Sequence, residues 1–303
     1  MAGTILYQKN QKSFKAGLGG VVFSTLSAIP IPLLLDLFPG AGFAYAFIKL
    51  RLAYIGENIR ARENSNEQNI GFLEDVIDSS SLLDFTGANN GFTPIIYDQT
   101  TNGNNLIQTT AANQLQIVDS GSLITSNGLA ATQGGNSGGE TSSIAFSGMS
   151  EIWFFEVMDV ISSGGNQFLY ESSTSFGQNS GAFLISINSG ILTIFNKRGT
   201  FNLTNSYPIS TGRQLISIRI QNNVNFAIAT QVFINGTEIT KSNVNGLGNF
   251  EFSDQVLYVG ARAGGAGFNG FQGKRQASIF YPFGQSADRT NIETILKNLY
   301  GTP

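Results

Sequence analysis

Alternating apolar and polar positions run through the chain from residue 92 onward, a pattern that is typical of half-buried β-strands. Turn residues separate the runs at the short intervals of a β-sandwich. The strands predicted on this basis are 151–159, 167–172, 181–188, 191–196, 214–221, 230–234, 238–241, 256–261 and 276–281. The Gly-, Asn- and Ser-rich stretch 129–143 predicts an exposed loop. Because no internal repeat interrupts the series, we expect one all-β domain.

Two dipeptides predict tight hairpins between these strands. Asn235-Gly236 separates two short apolar runs, and Ser189-Gly190 separates Ile187 from Ile191. Two-residue turns that match the twist of antiparallel strands need positive φ angles, which Asn and Gly adopt at little cost. The flanking strands should therefore be paired neighbours.

Helical spacing occurs in the first third of the chain. Phe43, Phe47, Leu50 and Tyr54 recur every three or four residues, which predicts the main helix within 33–52. Such an aromatic stripe is typical of a helix face that packs on a core. We therefore expect this helix to lie beside the sandwich.

Two shorter helices are predicted elsewhere. Asp78, followed by three serines, is typical of a helix N-cap and predicts a helix within 75–85. The stretch 291–300 is amphipathic, and its Glu293 and Lys297 are spaced for an ion pair one helical turn apart.

Charged residues in two places have a structural interpretation and a functional one. In the run Ile59-Arg60-Ala61-Arg62 the arginines alternate with apolar positions, which favours a half-buried strand with a solvated face. Asp98 begins a turn-rich loop. Its carboxylate is suited to ligand binding, but Asp in turns more often accepts hydrogen bonds from the loop's own N–H groups, which is the role we expect.

The N-terminal segment is polar and basic up to residue 16 and apolar from 17 to 37, with prolines at 30 and 32. A membrane helix needs ~20 apolar residues without such breaks, and no clean cleavage site supports a signal peptide. We favour an assembly arm at 1–35 that docks on a partner protein, followed by a sandwich domain at 36–303. Membrane, signal and ordinary packing interpretations stay open. The apolar arm positions are Val21, Val22, Phe23, Leu26, Ile29, Ile31 and Leu34.

The composition excludes several kinds of binding and catalytic site. A net charge of −3 gives no electrostatic support for nucleic-acid binding. Cys and His are absent, which excludes disulfides, thiolate metal sites and every Ser-His-Asp triad. The acidic residues do not form a calcium-loop pattern. We expect no metal ion and no cofactor.

Three ordered motifs carry a resemblance to known families. They are residues 51–62 (RLAYIGENIRAR), 70–72 (IGF) and 97–106 (YDQTTNGNNL). The stretch 45–108, which contains these motifs, resembles the N-terminal half of the catalytic domain of the α-L-arabinofuranosidase B family. It more closely resembles the laminin-G-like modules of bacteriophage structural proteins, and that resemblance extends from about residue 33 to the C-terminus. The resemblance implies a concanavalin-A-like, jelly-roll β-sandwich with peripheral short helices. It does not imply an activity, because function lies in sites grafted onto folds.

The same resemblance bears on catalysis. The nucleophile of the arabinofuranosidase B family lies in an Asp-x-Glu-Asn-Gly run, which matches 186–190 here and places Asn188 at the nucleophile's position. The region that matches the general acid, 258–265, has no carboxylate, and the family's vicinal disulfide has no Cys counterpart. A retaining glycosidase needs two carboxyl groups about 5 Å apart. The resemblance therefore implies a protein that is not an enzyme.

Sugar binding without hydrolysis is the other use of such a surface, because aromatic rings stack on sugars and amides hydrogen-bond to them. The candidate carbohydrate-binding residues are Tyr170, Asn188, Arg262, Phe268 and Asn269. The alternative for 260–273 is an ordinary Gly-rich loop. Trp153 has apolar neighbours and is predicted to lie in the core.

Together these expectations favour a non-enzymatic structural protein on the surface of a bacteriophage virion, such as a head fibre, spike, decoration protein or tail appendage, in contact with host surface glycans. Its partners would be capsid or other virion proteins, bound through the arm. We expect a homo-oligomer, with a trimer favoured. The alternative is a secreted bacterial carbohydrate-binding or arabinofuranosidase-like glycosidase module.

Overall fold

Antiparallel strands dominate the computed structural model, which describes residues 32–134, 138–160, 165–262 and 270–303. The strands of the first half are β1 (Phe43–Ala46), β2 (Ile59–Glu63), β3 (Asn66–Ile70), β4 (Phe72–Leu73), β5 (Val76–Ile77), β6 (Gly91–Ile96), β7 (Leu106–Ile107), β8 (Leu115–Asp119), β9 (Ser122–Leu123), β10 (Thr125–Ser126), β11 (Leu129–Ala130), β12 (Thr132–Gln133) and β13 (Gly139–Ile144).

Longer strands form the second half of the chain. They are β14 (Glu151–Val160), β15 (Gln167–Ser172), β16 (Phe183–Asn188), β17 (Ile191–Arg198), β18 (Phe201–Pro208), β19 (Gly212–Gln221), β20 (Thr230–Ile234), β21 (Thr237–Glu238), β22 (Asn243–Asn245), β23 (Gln255–Val259) and β24 (Lys274–Tyr281). The helices are α1 (Leu34–Leu37), α2 (Ser79–Thr86), α3 (Phe226–Ala229) and α4 (Arg289–Tyr300).

Two sheets pack face to face. The first sheet pairs its strands in the order β1-β24-β14-β19-β20-β21. The second sheet has the order β7-β13-β23-β15-β16-β17-β18-β22. Strand β6 pairs with β7 of the second sheet and with β8. Strand β8 pairs with β12, and β12 pairs with β24 of the first sheet, so the two sheets are joined along one side. The predicted all-β sandwich is confirmed.

Apolar side chains form two layers. Between the sheets, the rings of Phe154 on β14 and Tyr170 on β15 stack with centroids 4.2 Å apart. On the other face of the first sheet, α1 and α4 cover Trp153 and Phe155. Trp153 therefore lies in the core, as predicted, and β14 is buried on both of its faces. Apolar burial of this kind stabilises a fold by roughly 25 cal/mol per Å².

The predicted hairpins are confirmed. Asn235 and Gly236 have φ angles of 53° and 90° between β20 and β21, and Ser189 and Gly190 have 49° and 79° between β16 and β17. Positive φ at both central residues gives the turn whose twist matches that of the strands.

The predicted main helix within 33–52 is wrong. Only α1 is helical there, and Phe43 to Ala46 form strand β1, in which every residue is buried. Phe43 and Tyr45 enter the layer between the sheets, while Ala44 and Ala46 enter the layer beneath the helices. Because both faces of the strand are apolar, it lacks the alternation that would mark it as a strand.

The two shorter helices are confirmed, with one change. Asp78 caps α2, and its carboxylate accepts from the Ser81 N–H at 3.0 Å. In α4 the partner of Glu293 is Arg289 rather than Lys297, because the ammonium of Lys297 donates instead to the carbonyl of Asn235 at 3.2 Å. Glu293 is almost completely buried, so the pair lies partly inside the protein.

The predictions for the charged residues of the first half are also confirmed. Strand β2 alternates between buried and half-buried residues, with Arg60 and Arg62 on the half-buried side. Asp98 accepts from the N–H groups of Thr100, at 2.9 Å, and Asn104, at 3.1 Å, within its own loop. Its carboxylate is therefore used to hold that loop.

Strands β13 and β18 are among those that the sequence prediction misses. Strand β13 lies within the stretch expected to be an exposed loop, and β18 carries Asn205, a polar residue with no exposed surface. The amide of Asn205 donates to the Phe226 carbonyl at 2.8 Å and to the Thr230 hydroxyl at 2.7 Å. Hydrogen bonds from distant residues thus allow a polar residue at a core position.

The boundary of the predicted arm needs correction at Leu34. Residues 32–303 form one compact unit. Leu34 is 1% exposed, and its side chain belongs to the apolar layer that helices α1 and α4 form with the first sheet. Leu34 is therefore part of the sandwich domain, because its side chain packs in the core of its own chain. The other arm positions, Val21 to Ile31, lie outside the described residues. Within the described ranges, no helix has the length and apolarity to cross a bilayer.

Candidate functional site

The side of the second sheet that faces away from the first sheet carries a row of polar and aromatic residues, and we call it the outer face. Strand pairing sets Glu140 opposite Tyr258, and Tyr258 opposite Glu171. The row continues through Leu184 to Phe195. Directly paired residues point to the same side of a sheet, so these side chains are neighbours.

Tyr170 does not lie on the outer face. Phe168 pairs with Ser186, but Tyr170 pairs with Ile185, so the register shifts by one residue at Leu169. Such a β-bulge sets two residues against one and turns the following side chain to the other face. Tyr170 has no exposed surface, and its hydroxyl donates to Glu156. The prediction that Tyr170 contacts a glycan is therefore wrong.

Asn188 and Arg262 do share the outer face. Asn188 is exposed and lies two residues beyond Ser186 on β16, where its amide donates to Asn166 at 2.7 Å. The guanidinium of Arg262 lies over the Phe168 ring, 5.0 Å from its centroid. Phe168 and Ser186 form a cross-strand pair. Arg262 lies over one member of this pair and Asn188 is two residues beyond the other, so the two predicted residues flank it. The remaining candidates, at positions 268 and 269, lie outside the described residues.

A buried ion pair lies under this surface. Glu171 has no exposed surface, and its Oε2 accepts from Nε of Arg262 at 2.6 Å. Its Oε1 accepts from the Ser173 hydroxyl at 2.5 Å. Both carboxylate oxygens are thus bound within the protein.

Tyr258 stands between two carboxylates. Burial raises the pKa of its phenol, and the charge of Glu140 together with a hydrogen bond to Glu140 raises that pKa further. The phenol therefore keeps its proton at neutral pH and acts as a donor. Tyr258 is half-buried and Glu140 is exposed, so both are within reach of a solute.

Strands β17 and β18 complete the accessible part of the outer face. The Phe195 ring meets the edge of Phe176, with centroids 6.4 Å apart. Next to it, the hydroxyls of Thr193 and Ser206 lie 3.2 Å apart across the two strands. All four residues are half-buried. The surface therefore offers ring faces beside hydroxyl groups.

Sequence reasoning does not single out Tyr258 and Phe195. Alternation in 191–196 and 256–261 places both among the outward positions, but the pairing of distant strands is needed to bring them into one row.

Among the described residues, two carboxylates lie in the outer-face row, those of Glu140 and Glu171. Glu140 and Glu171 lie two strands apart, which sets their Cα atoms about 10 Å apart, with Tyr258 between them. Glu171 is also buried with both oxygens bound, so neither a sugar nor a water molecule reaches it. In the described part of the chain, no group of three acidic side chains is suited to a metal ion.

A second cluster of charged groups lies between the sheets. Glu156 has no exposed surface; its Oε2 lies 3.1 Å from Nε of Arg275 and accepts from the Ser278 hydroxyl at 3.0 Å. Burial raises the pKa of Glu156, and the charge of Arg275 counteracts only part of that effect. Because the cluster is enclosed by both sheets, we assign it a structural role.

Comparisons with known proteins agree with the fold. No protein-family model and no curated protein sequence matches the chain. The structure is similar to an arabinofuranosidase complexed with arabinofuranosyl-α-1,2-xylobiose, with a TM-score of 0.62 and 15% identity over 84% of this chain and 62% of that one.

Two structures of a GH54 α-L-arabinofuranosidase are also similar. One was soaked with a cyclic sulfate inhibitor (TM-score 0.57, 16% identity, 84% of this chain and 62% of that one). The other is a Glu-to-Gln mutant soaked with 4-nitrophenyl α-L-arabinofuranoside (TM-score 0.55, 14% identity, 87% of this chain and 64% of that one). The chain thus spans less than two thirds of these enzymes. At such identities the likeness shows the fold alone, which confirms the predicted resemblance to the arabinofuranosidase fold.

Proposed function

We propose that the protein binds carbohydrate on its outer face without hydrolysing it. The observation that carries the proposal is the burial and hydrogen bonding of the Glu171 carboxylate. The carboxylate nearest the centre of the face is buried and bound on both oxygens, while rings and hydroxyls occupy the accessible positions around it. Such a surface has the groups for recognition, while its central acid is not free to form half of the carboxyl pair that cleavage needs.

The accessible groups suit a neutral sugar. A ring face such as that of Phe195 or Tyr258 takes the apolar face of a pyranose or furanose, and an aromatic contact contributes about 0.5–1.5 kcal/mol beyond its buried area. Thr193, Ser206 and Asn188 donate and accept hydrogen bonds at the edge of such a ring. Arg262 is neutralised by Glu171, so the face carries no strong positive charge.

A glycan array followed by titration calorimetry tests this proposal. We expect selective binding by the protein, and a loss of affinity of about tenfold or more in Tyr258→Ala and Phe195→Ala, which corresponds to about 1.4 kcal/mol or more. Tyr97→Ala is the matched control, because Tyr97 is a half-buried tyrosine on the loop after β6. Full affinity in both outer-face variants would contradict the proposal.

The non-enzymatic part has its own assay. We expect the protein to release no nitrophenol from 4-nitrophenyl α-L-arabinofuranoside or from a panel of other nitrophenyl glycosides. Release that disappears in Glu171→Gln but persists in Glu251→Gln would overturn this part and favour a glycosidase.

The proposed setting is the surface of a bacteriophage virion, where the protein would be a fibre, spike, decoration protein or tail appendage. The resemblance of three sequence motifs to phage modules and the apolar stretch 17–31 support it. Capsid or other virion proteins would be the partners, and a trimer the oligomeric state. A variant without residues 1–31 should stay folded and fail to join particles, and light scattering should give the mass of three chains.

A further inference from the structure

A groove of about 450 Å³ opens at the free edge of the sandwich, away from the strands that join the two sheets. Three segments line it: Tyr207 of β18, Thr230 and Gln231 of β20, and residues 238–241. The volume is in the range of small-molecule sites, which runs from about 300 to 1,000 Å³. No residue of the outer-face row lines this groove.

The groove is built on fixed elements. The Tyr207 hydroxyl donates to the Thr230 carbonyl at 2.8 Å, which links the second sheet to the first. Residues 239–242 then cross between the sheets: the Ile239 N–H donates to Val232 and the Ser242 N–H to Ser206, each at 2.8 Å. Sites held on paired strands in this way are positioned before a ligand arrives.

One cation faces the groove. The Lys241 ammonium lies 5.8 Å from the centroid of the Tyr207 ring, and among the described residues no carboxylate lies within ion-pair distance of it. Burial lowers the pKa of Lys241, and the charge of Glu238 offsets only part of that effect. The ammonium has thus given up part of its hydration while its nearest charged partner, Glu238, stays beyond ion-pair distance, so a ligand carboxylate could contact it directly.

The other polar groups set limits on that ligand. Glu238 is exposed, and its carboxylate accepts from the Gln231 amide at 2.9 Å, which leaves acceptor positions for hydroxyl groups. The Thr240 hydroxyl adds a donor and an acceptor. Glu238 also repels anions, so the groove, whose lining carries one positive and one negative side chain, disfavours polyanions such as phosphorylated or nucleic-acid ligands.

We propose that this groove binds an acidic sugar unit, with the sugar carboxylate against Lys241 and its hydroxyls against Glu238 and Thr240. One ligand carboxylate matches Lys241, the one cation among the lining residues, and a hydroxyl-bearing ring matches the acceptors beside it. The site is separate from the outer face and does not depend on binding there.

Titration with D-glucuronate and D-galacturonate, followed by NMR chemical shifts, tests the site. We expect millimolar or tighter binding of at least one uronate and at least tenfold weaker binding of the neutral sugars D-glucose and D-galactose. Lys241→Ala should lose at least tenfold in affinity, and Lys241→Arg should keep most of it. Lys49→Ala, a half-buried lysine elsewhere on the surface, should bind as the unaltered protein does.

Three outcomes overturn the inference. They are no uronate binding at 10 mM ligand, on the order of the weakest specific affinities; equal affinity for uronates and neutral sugars; and unchanged affinity in Lys241→Ala. Tyr258→Ala separates this site from the outer face. Loss of uronate binding in Tyr258→Ala with full binding in Lys241→Ala would assign the acidic sugar to the outer face.

Discussion

Nε of Arg262 lies 2.6 Å from Oε2 of Glu171, a carboxylate with no exposed surface on the solvent side of its sheet. The same guanidinium stacks over Phe168. One side chain therefore neutralises a buried acid and covers an aromatic ring. This arrangement makes Glu171 a support for the outer face, because neighbouring side chains neutralise its charge and hold both of its oxygens.

Arg262→Ala should lower the free energy of unfolding by about 3 kcal/mol, because it leaves a buried carboxylate without its cation. Urea denaturation measures the change. Arg198→Ala is the control: its pair with Glu251 spans 3.7 Å and both side chains are more than 40% exposed, so about 1 kcal/mol or less is expected. Adding Glu171→Gln to Arg262→Ala should restore part of the loss. Equal losses in the two arginine variants would refute the account.

Glu156 should make stability fall as the pH rises. Its folded-state pKa is raised above the ordinary value of 4.5, so its contribution is complete below pH 4.5 and is lost as the pH rises through the folded-state pKa. The free energy of unfolding of the protein relative to Glu156→Gln should therefore decrease between pH 4 and pH 7. An increase over that range would mean that the charge of Arg275 outweighs burial.

The cap of α2 should show the opposite pH dependence. Hydrogen bonds from Ser80 and Ser81 lower the pKa of Asp78 to about 2. The stabilisation is therefore present above the ordinary value of 3.8 and is lost as the pH falls toward 2. Asp78→Ala should cost about 1 kcal/mol at pH 7, and Asp78→Asn much less, because Asn also caps helices. Thermal unfolding at pH 3 and pH 7 compares them; an equal cost at both values would count against the cap.

Leu34 should mark the start of the folded unit. Leu34→Ala removes a side chain that is 1% exposed and should cost about 2–4 kcal/mol, whereas Leu37→Ala, on the same helix but 41% exposed, should cost under about 1 kcal/mol. Deletion of residues 1–31 should leave the unfolding midpoint nearly unchanged, and deletion of residues 1–36 should lower it. Equal midpoints in the two deletions would return Leu34 to the arm.

The sequence by itself determined those parts of the fold that local chemistry controls. Strands with one apolar face, such as β17, were predictable because their side chains alternate between core and solvent. The Asn235-Gly236 turn and the Asp78 cap were predictable because each depends on two to four consecutive residues. Motif resemblance added the sandwich architecture and the absence of an acid at Asn188.

Only the tertiary structure decided which residues meet on the outer face. The bulge at Leu169 turns Tyr170 into the core, and nothing in the local sequence marks where a strand gains an extra residue. Strand β1 has apolar residues at every position, because distant helices bury one of its sides and the opposite sheet buries the other. The row from Glu140 through Tyr258 to Glu171 joins residues up to 118 positions apart in sequence. Such neighbours are set by strand pairing and core packing, which are interactions between segments, whereas local propensity acts only within one.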